Sequence, residues 1–233
     1  MQDVKNVVFV HGAWADGSSW SKLIPLLQAK GQHAVAVQNP LSSIADDVAS
    51  TNRLINAQDG PVLLVGHSYG GAVITEAGNN PKVAGLVYVA AFAPEEGETL
   101  GGMAQKFPPT PGLAEIQPIE DGFLLLTPKG VLESFAQDLK PEEKNLVLAT
   151  QGATPIKKAA WHSKPSWSVI ASNDRMISPE QESSTAKRMG AKILTLPGSL
   201  HPMLSHPEEV ADFVIEAASS LAGTPAAAAA KAH

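Results

Sequence analysis

Val62-Leu63-Leu64-Val65-Gly66-His67-Ser68-Tyr69-Gly70-Gly71 is the stretch whose reading decides the fold. Residues 62–65 are apolar at every position, as in a strand buried on both faces of a parallel sheet. Residues 72–77 read as the start of a helix. Between them stands Gly66-His67-Ser68-Tyr69-Gly70, a match to G-x-S-x-G. Chance alone would give about 0.08 matches in a chain of this length. A strand, a sharp turn and a helix around that serine predict a nucleophile elbow. The turn forces unusual dihedrals on Ser68, and flanking glycines let strand and helix pack closely. The Ser68 hydroxyl is expected at the helix N-terminus, where N–H groups favour negative charge.

The same alternation extends outward. Further strands are expected at 6–10, 33–37, 83–90, 167–171 and 191–196. Amphipathic helices are expected at 43–58, through Ile44, Val48, Thr51 and Ile55, and at 207–221, through Val210, Phe213, Val214 and Ala217. Repeated βα units predict an α/β, doubly wound, mostly parallel sheet with right-handed crossovers. From 94 to 164 the rhythm breaks, with helical stretches expected at 131–139 and 141–151. Residues 1–94 and 165–222 therefore read as the core, 95–164 as an inserted cap, and 223–233 as a low-complexity tail.

Composition limits what this core can do. The 233 residues are 44% hydrophobic and 17% charged, with a formal net charge of −6. This is too apolar for a disordered chain, and the acidic balance argues against sequence-blind nucleic-acid binding. With no cysteine, thiolate nucleophiles, disulfides and cysteine-bound metals are excluded. No apolar run approaches the roughly 18 residues of a membrane span, and no signal peptide is evident. The expectation is a soluble cytoplasmic protein with no membrane partner; its oligomeric state is left open.

A serine hydroxyl needs a base, and the base needs an orienting acid. For this elbow the expected order is Ser, then Asp or Glu, then His. His201 follows the strand at 191–196, where open α/β sheets build their sites, and is the favoured base. His206 sits in a helix-capping sequence, His162 has no strand ahead of it, and His67 and His11 read as supporting histidines. Asp174 follows the strand at 167–171 and is the favoured acid, with Glu95 or Glu96 as runner-up. Backbone N–H groups of Tyr69 and Ala13 are the expected oxyanion donors. Trp14, Phe107, Leu125, Trp161 and Met203 are expected to line an apolar substrate cleft, together with other apolar residues of the cap.

Phe9-Val10-His11-Gly12-Ala13-Trp14, the elbow, Asn173-Asp174 and Gly198-Ser199-Leu200-His201 together resemble the α/β-hydrolase superfamily. Within it the chain is similar to the small esterase and hydroxynitrile-lyase-like branch, which includes salicylate-ester esterases. The resemblance implies an eight-stranded sheet of which this chain starts at the third strand, so the N-terminal hairpin is expected to be missing. It also implies the triad Ser68, Asp174 and His201, the Ala13 and Tyr69 oxyanion hole, and no metal or organic cofactor. Plant hydroxynitrile lyases of the branch carry a lysine directly after the catalytic histidine and a threonine in the oxyanion region. Here those positions are Pro202 and Gly12. The expectation is a serine carboxylesterase that cleaves a small, fairly hydrophobic ester through an acyl-enzyme. Alternatives are a lyase, C–C hydrolase or perhydrolase on the same site, or a slow-turnover ligand receptor.

Overall fold

The computed structural model describes residues 4–119, 123–147 and 160–221. Its first half is β1 (Asn6–Val10), α1 (Leu23–Ala29), β2 (His33–Ala36), α2 (Ile44–Ala57), β3 (Val62–Ser68), α3 (Tyr69–Ala77) and β4 (Val83–Ala91). An insertion follows, with α4 (Leu100–Ala104), β5 (Ile116–Pro118), β6 (Leu124–Leu126), α5 (Pro128–Gly130) and α6 (Pro141–Val147). The core resumes with β7 (Ser166–Ala171), α7 (Pro179–Arg188), β8 (Lys192–Leu196), α8 (Pro202–Ser205) and α9 (Pro207–Ser220).

Among the described residues the main sheet has six parallel strands in the order β2-β1-β3-β4-β7-β8. The sequence pattern explains its middle. Every residue of β1 and β3 is buried, because helices cover both faces. Right-handed crossovers then fix the layers. The chain moves one way from β1 to β2 and the other way from β2 through β3 to β4. Thus α1 lies on one face, against α9, and α2 lies on the other, against α3. Ser43 starts α2 by accepting from the Asp46 N–H at 3.0 Å.

The strand order reverses between β1 and β3, and open α/β sheets bind ligands at such a switch point. Val10 pairs with Gly66 there, so the loop after β1 and the end of β3 lie side by side.

The insertion departs from its expected helices. The segment expected as a helix over 131–139 is a π-helical turn, Val131–Phe135, that stops at Ala136 with φ −133°. Its closing bond runs from the Ala136 N–H to the Val131 carbonyl, at 2.9 Å. A helix end leaves its last carbonyls without intrahelical donors, and Phe135 is one of these. The helix expected over 141–151 is observed as Pro141–Val147, and 148–151 lie outside the described residues. So does the tail at 223–233. Residues 116–118 and 124–126 form a short antiparallel pair that the sequence reading did not anticipate.

Candidate active site

Ser68 ends β3 and opens α3 with φ 50° and ψ −119°, backbone that glycine alone adopts readily. Such a conformation costs about 1–3 kcal/mol and persists only where its surroundings impose it. Packing imposes it here. A Cβ at Gly66 would lie 2.6 Å from the Gly70 carbonyl oxygen, and one at Gly70 would lie 2.4 Å from that of Val10. The elbow is therefore wedged between its own helix and the end of β1. Tyr69 adds a side-chain anchor, since its hydroxyl donates to Asp47 on α2 at 2.7 Å. The other Asp47 oxygen accepts from the Leu41 N–H at 2.9 Å. Burial pushes the Asp47 carboxyl up, and these two donors oppose the rise.

His201 lies in the loop after β8 and is wholly buried. Its Nδ1 is 2.8 Å from the Phe135 carbonyl. A carbonyl only accepts, so Nδ1 carries the hydrogen and Nε2 keeps its lone pair. That Nε2 has no hydrogen-bond partner. Burial lowers the imidazole to about 4, against the Phe135 carbonyl and the negative charge of Asp138, so the ring is neutral at neutral pH. It is in the state a general base requires. His67 packs beside it, with ring centroids 4.9 Å apart, and is held by the Leu200 carbonyl at 2.7 Å. Burial and the His201 ring hold His67 neutral too.

Asp174 follows β7. Its Oδ1 accepts from the N–H groups of Met176 at 2.7 Å and Ile177 at 3.0 Å. Its carboxyl does not take the His201 Nδ1–H, which goes to Phe135. Asp174 is bonded instead to Glu182 of α7, a buried acid that also accepts from the Ala171 N–H at 3.3 Å. Asp174 Oδ2 and Glu182 Oε1 otherwise lack partners. One proton between the carboxyls satisfies both atoms. Burial raises Asp174 to about 7, and burial plus the Asp174 charge raise Glu182 well above the carboxylate range.

The other histidines and acids weighed from the sequence stand apart from this cluster. His11 is buried, with Nδ1–H on the Gly12 carbonyl and Nε2 accepting from the Asn39 N–H, both at 2.9 Å. His162 meets Glu95 at 2.9 Å on the surface, and His206 caps α9.

The described chain matches the model of the alpha/beta hydrolase family over residues 7–213. The chain belongs to the α/β hydrolase family. It is 34% identical over 115 residues to a carbendazim hydrolyzing esterase from Nocardioides sp., covering 43% of this chain and 48% of that one. It is 34% identical over 110 residues to salicylic acid-binding protein 2 of Nicotiana tabacum, covering 41% and 42%. The aligned region thus spans less than half the length of these two relatives. The crystal structure of polyneuridine aldehyde esterase superposes with a TM-score of 0.80 at 21% identity, covering 92% of this chain and 99% of that one. That likeness concerns the fold.

On this α/β hydrolase scaffold Ser68 opens into a cavity of about 350 Å³. Ala13 and Tyr69 share its wall with Ser68, and Trp14, Phe92, Leu100, Leu113, Leu124 and Ile177 make it apolar. Among the described residues no Asp, Glu, Lys, Arg or His is on the wall. Of the expected lining residues Trp14 is there, fixed by its indole N–H on the Leu124 carbonyl at 2.8 Å. The other four are off the wall. Leu125 is one position out of phase with Leu124 on β6. Trp161 is buried under Arg188 and donates to the Pro94 carbonyl. Met203 is buried within α8, and Phe107 is half-buried beyond α4. A surface depression of about 310 Å³, lined by Gln38, Arg53 and their neighbours, shares no residue with this cavity. Among the described residues no three His, Asp or Glu are grouped to hold a metal. Sequence reasoning missed Phe135, Asp138 and Glu182. A buried glutamate two turns from Asp174 carries no local signal, since only the fold brings α7 under the β7 loop.

Proposed function

We propose that this protein is a serine carboxylesterase acting on a small, neutral, fairly hydrophobic ester, without metal or organic cofactor. The observation that carries the reading is Ser68 on its strained elbow, on the wall of the apolar cavity; His201, packed against the neighbouring His67 ring, keeps its Nε2 lone pair unspent. Ser68 Oγ attacks the ester carbonyl and its proton passes to His201 Nε2. The tetrahedral oxyanion is held by the N–H groups of Ala13 and Tyr69. The C–O bond breaks, the alcohol leaves with the proton from His201, and the acyl group stays on Ser68. His201 then deprotonates a water, which releases the acid. Asp174 is the acid that stabilises the imidazolium, taking the Nδ1–H from the Phe135 carbonyl as substrate binds. Catalytic hydrogen bonds commonly tighten only in the substrate complex. Residues 95–164 act as the cap, which shares the cavity wall with the core: Leu100, Leu113, Ile116 and Leu124 come from the cap, and Trp14, Phe92, Ile177 and Leu200 from the core.

The uncharged wall supports a neutral substrate, because an ionised group buried there would meet no partner. A lyase reading is disfavoured by space at residue 12. A Cβ on Gly12 would lie 2.9 Å from Ser68 Cβ and 3.0 Å from His67 Nδ1, so no threonine fits beside the serine.

Intact mass after treatment with a fluorophosphonate tests the reading. Wild type is expected to gain one adduct and Ser68→Ala none, with p-nitrophenyl ester hydrolysis following the same pattern. Absence of an adduct on wild type, or esterase activity retained by Ser68→Ala, overturns it.

A further inference from the structure

The loop that carries His201 is held from one side by two residues of the insertion, Phe135 and Asp138. The Phe135 carbonyl takes the Nδ1–H of the ring. Asp138, three residues later, grips the backbone just ahead of it. Asp138 Oδ2 accepts the Ser199 N–H at 2.8 Å, and Asp138 Oδ1 accepts the Ser199 hydroxyl in a short bond. Ser199 is fully buried, and its Oγ in turn accepts the His201 N–H at 3.3 Å. The loop also leaves room for the carboxylate, since a Cβ on Gly198 would come 3.0 Å from Asp138 Oδ2. Between these two anchors, Gln137 Nε2 donates to the Asn173 carbonyl at 3.0 Å, next to Asp174. The loops of the base and the acid therefore meet on a single stretch of the insertion, where the π-helical turn ends.

We propose that Asp138 is a positioning residue for His201: its carboxylate locks the Ser199–His201 backbone against the insertion and directs a fixed negative charge at the imidazole, so the base is assembled only when the insertion is seated. This rests on the esterase reading above and adds a fourth residue to that site. Two properties make a carboxylate suited to the task. It accepts two hydrogen bonds from one residue in fixed geometry, and bonds to an ionised acceptor are roughly twice as strong as neutral ones. Its charge also favours the protonated ring, against the burial that disfavours it. The other groups facing His201 are the His67 ring from β3 and the ring and carbonyl of Phe135. Asp174 pairs with Glu182, so the carboxylate whose charge acts on the imidazole is that of Asp138.

The test uses the full chain and three proteins: wild type, Asp138→Asn and Asp138→Ala. Each is assayed with a p-nitrophenyl ester from pH 3 to 9, labelled with a fluorophosphonate, and melted by circular dichroism. Asp138→Asn keeps the shape and one acceptor but loses the charge. It is expected to lower kcat with KM unchanged and to move the acid limb of kcat/KM to lower pH. Asp138→Ala frees the loop, and a misplaced base of this kind costs about 100-fold in kcat. Its labelling rate should fall in parallel. Wild-type kcat and limb in Asp138→Asn, with activity in Asp138→Ala falling only as far as its folded fraction, overturns the proposal and assigns Asp138 a purely structural role. Wild-type rates in both variants overturn it as well. If wild type itself gains no adduct and cleaves no ester, the site reading fails, and this proposal fails with it. An adduct on all three proteins at equal rates removes Asp138 alone.

Discussion

The elbow and the insertion solve the same problem, the placing of one reactive group, by different means. Around Ser68 everything is local. Six consecutive residues, Gly66 to Gly71, set the dihedrals, and close backbone contacts to β1 leave no alternative. Around His201 nothing is local. The ring takes its tautomer from Phe135, its backbone register from Asp138, and its packing from His67, across separations of 66, 61 and 133 or more residues in the contacts they make. The proposed nucleophile is thus built into the scaffold, whereas the proposed base is assembled by tertiary contact. A site so divided can keep its nucleophile while its base and its pocket change with the insertion.

The largest effects should come from the elbow. Ser68→Ala is expected to reduce ester turnover by about 10³-fold or more, since triad members act as a unit. Stability should move the other way in Ser68→Gly. Glycine relieves φ 50°, so the variant should be inactive yet more stable by about 1 kcal/mol, read as a raised midpoint in urea. An unchanged or lowered midpoint would mean the turn stores no strain. Gly70→Ala should fail outright, because its Cβ would sit 2.4 Å from the Val10 carbonyl oxygen. Overpacking against backbone typically costs about 1–3 kcal/mol or more, and soluble yield together with the thermal midpoint checks it.

The insertion should govern selectivity instead. Leu100 of α4 lies on the cavity wall and belongs to the insertion alone. Leu100→Trp is expected to raise KM about tenfold for a bulky p-nitrophenyl acyl ester while acetyl-ester hydrolysis changes less than threefold, since one or two methylenes in an apolar pocket are worth about 1–3 kcal/mol. Equal losses on both esters would show that this wall does not select the acyl group.

The same division explains how much the sequence disclosed. The four central strands are buried almost throughout and largely apolar, and the half-exposed edge strands β2 and β8 still carry enough apolar residues, so all six were legible, with ends displaced by a few residues. The turn at Ser68 was legible because its constraint is local, and the loop positions of His201 and Asp174 because both follow strands, although no bond joins the two side chains. Of the five residues singled out for the pocket, Trp14 on the β1 loop is on the wall. Phe107, Leu125, Trp161 and Met203 are apolar for reasons of core packing or position beyond the wall, and hydrophobicity alone does not separate these roles. Glu182 looks like a surface acid until the fold buries it beside Asp174, and Asp138 stays exposed but is turned onto Ser199 by the fold.

The smallest expected effect concerns Glu182, and it discriminates between a shared proton and a simple buried charge. A carboxyl raised on folding binds its proton in the native state at pH values where the unfolded chain has released it. Its contribution to stability is therefore fully present below the unfolded value near 4.5 and is lost as pH rises through the folded value. Asp174 acts with the same sign between 3.8 and about 7. His201, depressed to about 4, acts with the opposite sign between about 4 and 6.5, so wild type alone would show a muted profile. The comparison with Glu182→Gln cancels the histidine. Glutamine keeps a donor for Asp174 and cannot ionise, so the two proteins should melt alike near pH 4, and the variant should gain on wild type steadily as pH rises above 5. Parallel melting curves from pH 4 to 9 would place no proton between these carboxyls, and the two orphaned oxygens would then need another partner. A gain in stability without loss of turnover would show that the hydrogen bond, and not the acid, is what Asp174 requires from α7.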